Sequence, residues 1–233
     1  MPMETLDECL TTARDRLYPS IFNPNYLVLR RRREIFTKWF STLPGMGWHV
    51  LDIGGRYQPY KPLTNGKVES YVAIDIQPTP LVNVVARGEF LPFSDEAFDL
   101  VIATQVFDYF EAPGQAAAEV HRVLKPGGHL VISVPSFAPA FADQERWRYL
   151  PAGLRTLFAA FSSVEIVPEI RSIGSFLRTL NLYLTMVAGP AWLRYGVNHS
   201  LVPLFNLVGW ELERLIPSHS HSFAANYSVL VTK

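Results

Sequence analysis

The chain has 233 residues, of which 48% are apolar and 18% charged, which excludes a disordered chain and fits one globular domain with a sizeable core. Lys plus Arg and Asp plus Glu both number 21, so the formal net charge is zero. That argues against a protein built to hold nucleic acid, where affinity rests on many cationic phosphate contacts. Cys9 is the single cysteine, so neither an intrachain disulfide nor a Cys-based zinc site is expected, and a reducing compartment fits.

The start is acidic and lacks the basic-then-apolar order of a leader peptide. Residues 1–45 read as an N-terminal helical segment. Its helix is predicted over Asn23–Leu43, with Pro24 at the first helical position and Val28, Ile35, Phe36, Trp39, Phe40 and Leu43 on one buried face. Strands are expected at Trp48–Ile53, Ser70–Ile76, Leu81–Val85, Phe98–Thr104, His129–Val134, Val164–Val167 and Asn226–Thr232. Helices are expected at Pro113–Leu124 and Leu150–Phe161, with a turn at Lys125–Gly128. Several strands are continuous apolar runs, as in a parallel sheet covered on both faces. The alternation predicts an α/β, doubly wound, mostly parallel seven-stranded sheet in a single domain, 1–233. Its core is placed at 46–172 and its final strand within 218–233. A helical insertion rich in Leu, Phe, Tyr and Trp precedes that strand over 173–217. No window of about 20 residues is free of charge and breakers, so no spanning helix is expected.

Three features fall at the carboxyl ends of consecutive predicted strands, where open α/β sheets bind ligands. Asp52-Ile53-Gly54-Gly55 offers a sharp turn and close backbone approach. Asp75, about 20 residues later, is spaced to accept hydrogen bonds from ribose hydroxyls. Gly88-Glu89-Phe90-Leu91-Pro92-Phe93 precedes the strand that opens at Phe98. Alone, each also reads as an ordinary turn or cap; together and in order they point to an adenosine-bearing ligand. Gly54-Gly55-Arg56-Tyr57-Gln58-Pro59 lacks the third glycine and helix start that a nicotinamide dinucleotide needs.

From Val50 to Pro135 the sequence resembles the class I S-adenosylmethionine-dependent methyltransferases, whose Rossmann-like fold it would share. The resemblance rests on Val-Leu-Asp-Ile-Gly-Gly, Tyr-Val-Ala-Ile-Asp, Gly-Glu-Phe-Leu-Pro-Phe-Ser-Asp-Glu-Ala-Phe-Asp and Val-Leu-Lys-Pro-Gly-Gly-His-Leu-Val-Ile-Ser-Val-Pro. More loosely, Trp147-Arg148-Tyr149-Leu150-Pro151 resembles a bacterial subgroup that tailors small molecules and cell-surface glycans. The resemblance implies S-adenosylmethionine as cofactor. It places Asp52, Gly54, Gly55 and Arg56 by the methionine moiety and ribose, Asp75 on the ribose hydroxyls and Ile76 on adenine. Gly88, Glu89 and Phe90 fall at the adenine edge and face, and Thr104 and Gln105 beneath the methionine. Asp108 follows the fourth strand, where acceptors approach in this family, and is the candidate base; a structural role is its alternative.

The sequence departs from the family pattern in places. Pro59 and Pro62 leave little room for the usual first helix. Arg87 stands where an Asp often accepts from the adenine amino group, and an arginine cannot accept, so it is expected to face solvent or a carboxylate. Phe141-Ala142-Asp143 stands where the subgroup has a His. The run Arg30-Arg31-Arg32-Arg33 reads as a solvated helix face or a contact for an anionic partner. No metal site is expected; His219 and His221 lack a carboxylate at ligand spacing. The insertion reads as a lid on the acceptor cleft, a homodimer interface or a peripheral membrane contact. The function expected is methyl transfer, as O-methylation, to a small-molecule or lipid- or glycan-linked acceptor in the cytoplasm. A catalytically silent binding or scaffold protein on the same fold is the alternative.

Overall fold

A computed structural model describes residues 4–64, 66–140, 142–216 and 223–233. Seven strands form one sheet: β1 (Trp48–Ile53), β2 (Val68–Asp75), β3 (Val84–Val85), β4 (Phe98–Thr104), β5 (Leu124–Pro135), β6 (Ser163–Pro168) and β7 (Asn226–Thr232), in the order β3-β2-β1-β4-β5-β7-β6. The pairings β1–β2, β2–β3, β1–β4 and β4–β5 are parallel. The sheet is nevertheless mixed, because β7 inserts antiparallel between β5 and β6. The order reverses beside β1, so the carboxyl ends of β1 and β4 diverge and open a crevice there.

The helices are α1 (Leu6–Leu17), α2 (Tyr26–Thr42), α3 (Pro113–Val123), α4 (Pro151–Leu157), α5 (Ser172–Val187), α6 (Ala191–His199) and α7 (Leu201–Leu215). Helix α1 is absent from the sequence expectation. Its signal is Thr5-x-x-Glu8, a capping box in which each side chain bonds the other residue's backbone amide. Helix α2 starts at Tyr26 rather than Asn23, because Asn23 Oδ1 accepts from the Asn25 amide at 2.8 Å and holds Pro24 in a turn. The segment Lys125–Gly128 is a bulge in β5, not a free turn. Register jumps from Phe98 opposite Leu124 to Leu100 opposite His129, and Gly127 adopts φ 74°.

One core cluster packs α3 and α4 on the sheet through Val120, Val123, Leu154 and Phe158. A second packs α2 on the other face through Phe36, Trp39 and Phe40. After β1 the chain makes only a 3-10 turn, Lys61–Thr64, as the prolines require. The insertion folds as α5, α6 and α7, with α7 against α2, where Gly209 faces Leu27. Its expected end, Pro217, lies outside the described residues, as do His219, His221 and Phe141.

The arginine run is a solvated face only in part, at Arg31, which is exposed beside Glu34. Arg32 is buried and forms a bidentate ion pair with Glu169, at 2.7 and 2.8 Å. Arg30 stacks on Trp210 at 3.6 Å, Arg31 pairs with Glu34 at 3.0 Å, and Arg33 donates to the Leu17 carbonyl. Arg30, Arg32 and Arg33 dock α2 onto its neighbours, while Arg31 pairs within the helix. His49 meets Ser70 Oγ at 2.6 Å, and His121 packs edge-on against Phe161.

Candidate active site

A cleft of about 540 Å³ lies at the carboxyl ends of β1, β2 and β4, within the range of small-molecule sites. It brings together Gly54, Arg56, Asp75, Ile76, Gly88, Glu89, Thr104 and Gln105 from the expected set. Asp52, Gly55, Phe90 and Asp108 do not line it.

The turn after β1 is set by hydrogen bonding. The Gly54 and Gly55 amides both donate to the Ile74 carbonyl, at 2.9 and 3.0 Å, tying the turn to β2. Gly54 has φ 75°, and a Cβ there would stand 3.0 Å from Val106. Gly55 serves packing instead of ligand approach: a Cβ would fall 2.9 Å from both Ala73 and Asp52. Asp52 sits beneath the turn, buried, and accepts from the Tyr71 hydroxyl at 2.6 Å. Burial pushes its carboxyl up to about 7, with the Tyr71 hydrogen bond opposing and the Asp75 charge adding to the rise.

Asp75 closes β2. Its Oδ1 accepts from the Gln77 amide at 2.8 Å and from Arg56 at 3.3 Å, so Arg56 reaches across the cleft wall to it. Ile76, 65% exposed, presents an apolar surface to the cleft. The next wall comes from the segment after β3. Gly88 packs under Phe110, where a Cβ would meet the ring at 2.5 Å. Glu89 is buried with Oε1 accepting from the Glu111 amide at 2.9 Å. Phe90 lies outside the cleft, 64% exposed, because its amide closes a turn onto the Arg87 carbonyl and carries the ring away. Arg87 does line the cleft and pairs with Glu111 at 3.2 Å and Glu89 at 3.6 Å.

The floor is the end of β4. Gln105 holds φ 52°, a strained value for a residue with a side chain, and its amide donates to the Ser133 carbonyl at 2.8 Å. Its side chain donates to Ser133 Oγ at 2.9 Å and meets Asn226 at 3.1 Å. Behind them Ser133 and Ser228 donate to Glu169, the partner of Arg32. A buried polar seam thus runs from the cleft floor to α2. Nothing in the sequence pairs Arg32 with a glutamate 137 residues away.

Asp108 stands behind the wall formed by Val106 and Tyr109. Its backbone carbonyl accepts from the Arg146 and Trp147 amides, which seats the loop after β5 against the loop after β4. Its carboxyl is buried, one oxygen lacks a hydrogen-bond partner, and burial raises its pKa to about 6. Sequence reasoning missed Arg16, Tyr57, Gln144 and Arg146, all of which line the cleft. Arg16 comes from α1 and stacks on Tyr57 at 4.6 Å, and the capping box was the available signal for that helix. Of the lining residues, none belongs to 172–216. The insertion lies against α2 and does not lid the cleft in this conformation. Among the described residues no cluster of His, Cys, Asp or Glu could hold a metal.

Residues 51–132 match the family described as a methyltransferase domain. An uncharacterized methyltransferase of Mycobacterium tuberculosis is 27% identical over 121 residues, 46% of this chain and 48% of its own. The chain spans about half the length of the curated relatives it matches. Among solved structures, the [4+2]-cyclase SpnF aligns over 99% of this chain and 97% of its own, with TM-score 0.54 and 17% identity. A Thermotoga maritima SAM-dependent methyltransferase, described as a possible histamine N-methyltransferase, aligns over 95% and 99%, with TM-score 0.53 and 15% identity. At such identities the solved structures establish the Rossmann-like methyltransferase fold. The sequence match makes the core of the chain, residues 51–132, similar to a methyltransferase domain, which supports S-adenosylmethionine as the cofactor. The cleft fits that molecule: Gly54 clears its floor and an acidic residue ends β2.

Proposed function

We propose that this chain moves a methyl group from S-adenosylmethionine to an oxygen of a small-molecule or lipid- or glycan-linked acceptor. The observation that carries this reading is the make-up of the cleft. Gly54, Asp75, Ile76 and Gly88, from the ends of β1 and β2 and the segment after β3, suit an adenosine, and Tyr109, Gln144 and Arg146, from the loops after β4 and β5, add polar groups for a second molecule. The cofactor supplies an activated sulfonium methyl. The chain's own task is alignment and exclusion of water, which falls to Val106, Tyr109 and Phe110 beneath the loop holding Ala142 and Gln144. An oxygen acceptor must also shed a proton. Asp108 has the chemistry for this, with an unpaired carboxylate oxygen and a pKa near 6 that leaves it ionised at neutral pH, but it lies behind the cleft wall and reaches an acceptor only if Val106 or Tyr109 moves aside.

The test is transfer of isotopically labelled methyl from the cofactor into fractionated small-molecule and lipid extracts. If Asp108 takes the proton, kcat/KM should rise with pH through about 6. Asp108→Asn should then lose about 10²–10⁴-fold in kcat while keeping cofactor affinity. An unchanged profile with unchanged rate leaves Asp108 a structural residue of the Arg146 loop.

A second reading, binding without turnover, is favoured by the prior engagement of the polar groups: Asp75 with Arg56, and Arg87 with Glu89 and Glu111. It predicts calorimetric cofactor binding with no consumption in any acceptor fraction.

A further inference from the structure

The helical insertion is inside out. The buried positions of α5 are Gly174, Ser175, Arg178, Asn181 and Leu182, and those of α7 are Val202, Asn206 and Gly209. Most of these are polar or glycine. Asn181 donates to Asn206 Oδ1 at 3.1 Å across the two helices, and Arg178 donates twice to Asn25. Gly209 lets the backbones close, because a Cβ there would stand 3.8 Å from the Gly174 Cα. Leu182 and Val202 are the apolar exceptions, and the most exposed side chains of these helices are apolar. Phe176 and Tyr183 are each 60% exposed, Trp192 75% and Tyr195 66%, and Leu204 and Leu207 about half. Helix α6 buries no residue at all. A water-soluble helix pair places these classes the opposite way round, and a large exposed apolar surface marks a binding face.

Charge separates the candidate occupants. Between Glu169 and Glu211 the chain carries no Asp or Glu, while Arg171 and Arg194 fall within that stretch; Glu211 and Glu213 follow only in the last turns of α7. A face over α5, α6 and the start of α7 with exposed Trp and Tyr, an exposed arginine and no acidic residue matches the interfacial zone of an anionic bilayer. Small residues and polar side chains packed between helices, with apolar side chains outward, are likewise what helices in lipid adopt. Among the described residues no helix is long and apolar enough to cross a membrane, so the contact is one of lying on the surface.

We propose that α5, α6 and α7 dock this protein on the surface of an anionic phospholipid membrane, with Trp192 and Tyr195 entering the interface. The docking requires neither methyl donor nor turnover, so its outcome is separate from that of the catalytic reading.

The experiment is co-sedimentation of the full chain with vesicles of equimolar phosphatidylcholine and phosphatidylglycerol, and with phosphatidylcholine alone, without methyl donor. The wild type should bind the mixed vesicles, and at least about tenfold more weakly those without anionic lipid or at high salt. Trp192→Ser with Tyr195→Ser should reduce binding about tenfold or more, and Arg194→Glu should weaken binding to the mixed vesicles alone. These side chains are exposed, so the melting temperature should hold and show that the variants fold. No binding to either vesicle overturns the proposal. So does a wild type that is dimeric by analytical ultracentrifugation and becomes monomeric in the double variant, with vesicle binding absent from both.

Discussion

Asp52 carries the clearest pH signature at the level of single residues. Its folded pKa, near 7, stands well above the ordinary 3.8 because burial disfavours the charged form. Below about pH 4 the carboxyl is protonated whether the chain is folded or not, so it contributes no difference there. As pH rises toward 7 the unfolded chain ionises first, and stability falls until the folded group ionises too. Asp52→Asn removes this liability while its amide oxygen can still accept from Tyr71. The variant should match wild type at pH 4 and melt several degrees higher at pH 8; equal melting at both would show that Asp52 is not held neutral. The motifs around Asp52, Gly54 and Asp75 were legible because each sits at a strand end, where strand pattern and turn chemistry coincide. The part played by Gly55 was not, since its nearest neighbours, Ala73 and the Asp52 side chain, meet it only once β1 and β2 pair. Phe90 misleads for a related reason: its neighbours in sequence line the cleft, but a backbone turn sends the ring outward.

Among elements, β5 begins well before the expected His129, at Leu124, and β3 is shorter than expected, whereas β1, β4 and β7 were read to both ends and β2 and β6 to within two residues. Burial on both faces leaves little room for another pattern. What escaped were features decided by distant partners. Nothing local in Asn226–Thr232 states that this strand runs against its neighbours, and nothing in Arg30–Arg33 marks Arg32 as the buried one. The pair it forms with Glu169 joins α2 to β5 and β7 through Ser133 and Ser228. Arg32→Ala would leave Glu169 buried with two serine donors and no counter-charge. We expect a loss of about 3–5 kcal/mol in urea unfolding, the range for breaking a buried pair. A loss below about 1 kcal/mol would mean that water reaches the carboxylate and the seam is looser than its distances imply.

For the molecule as a whole, the fold gathers one ligand-binding edge from β1, β2, the segment after β3, and β4, and adds Arg16 from α1. The central claim is that this edge holds S-adenosylmethionine through Asp75. Arg56 already lies 3.3 Å from that carboxylate, so a bound ribose would share Asp75 with a cation rather than replace one. The direct measurement is isothermal titration of S-adenosylmethionine into wild type and Asp75→Ala, with a melt to confirm that both are folded. The wild type should bind in one-to-one stoichiometry. The variant should bind more weakly by about 1.5–3 kcal/mol, the worth of hydrogen bonds to a charged group. A wild type with no heat of binding at millimolar cofactor, or a folded variant with undiminished affinity, would contradict the account.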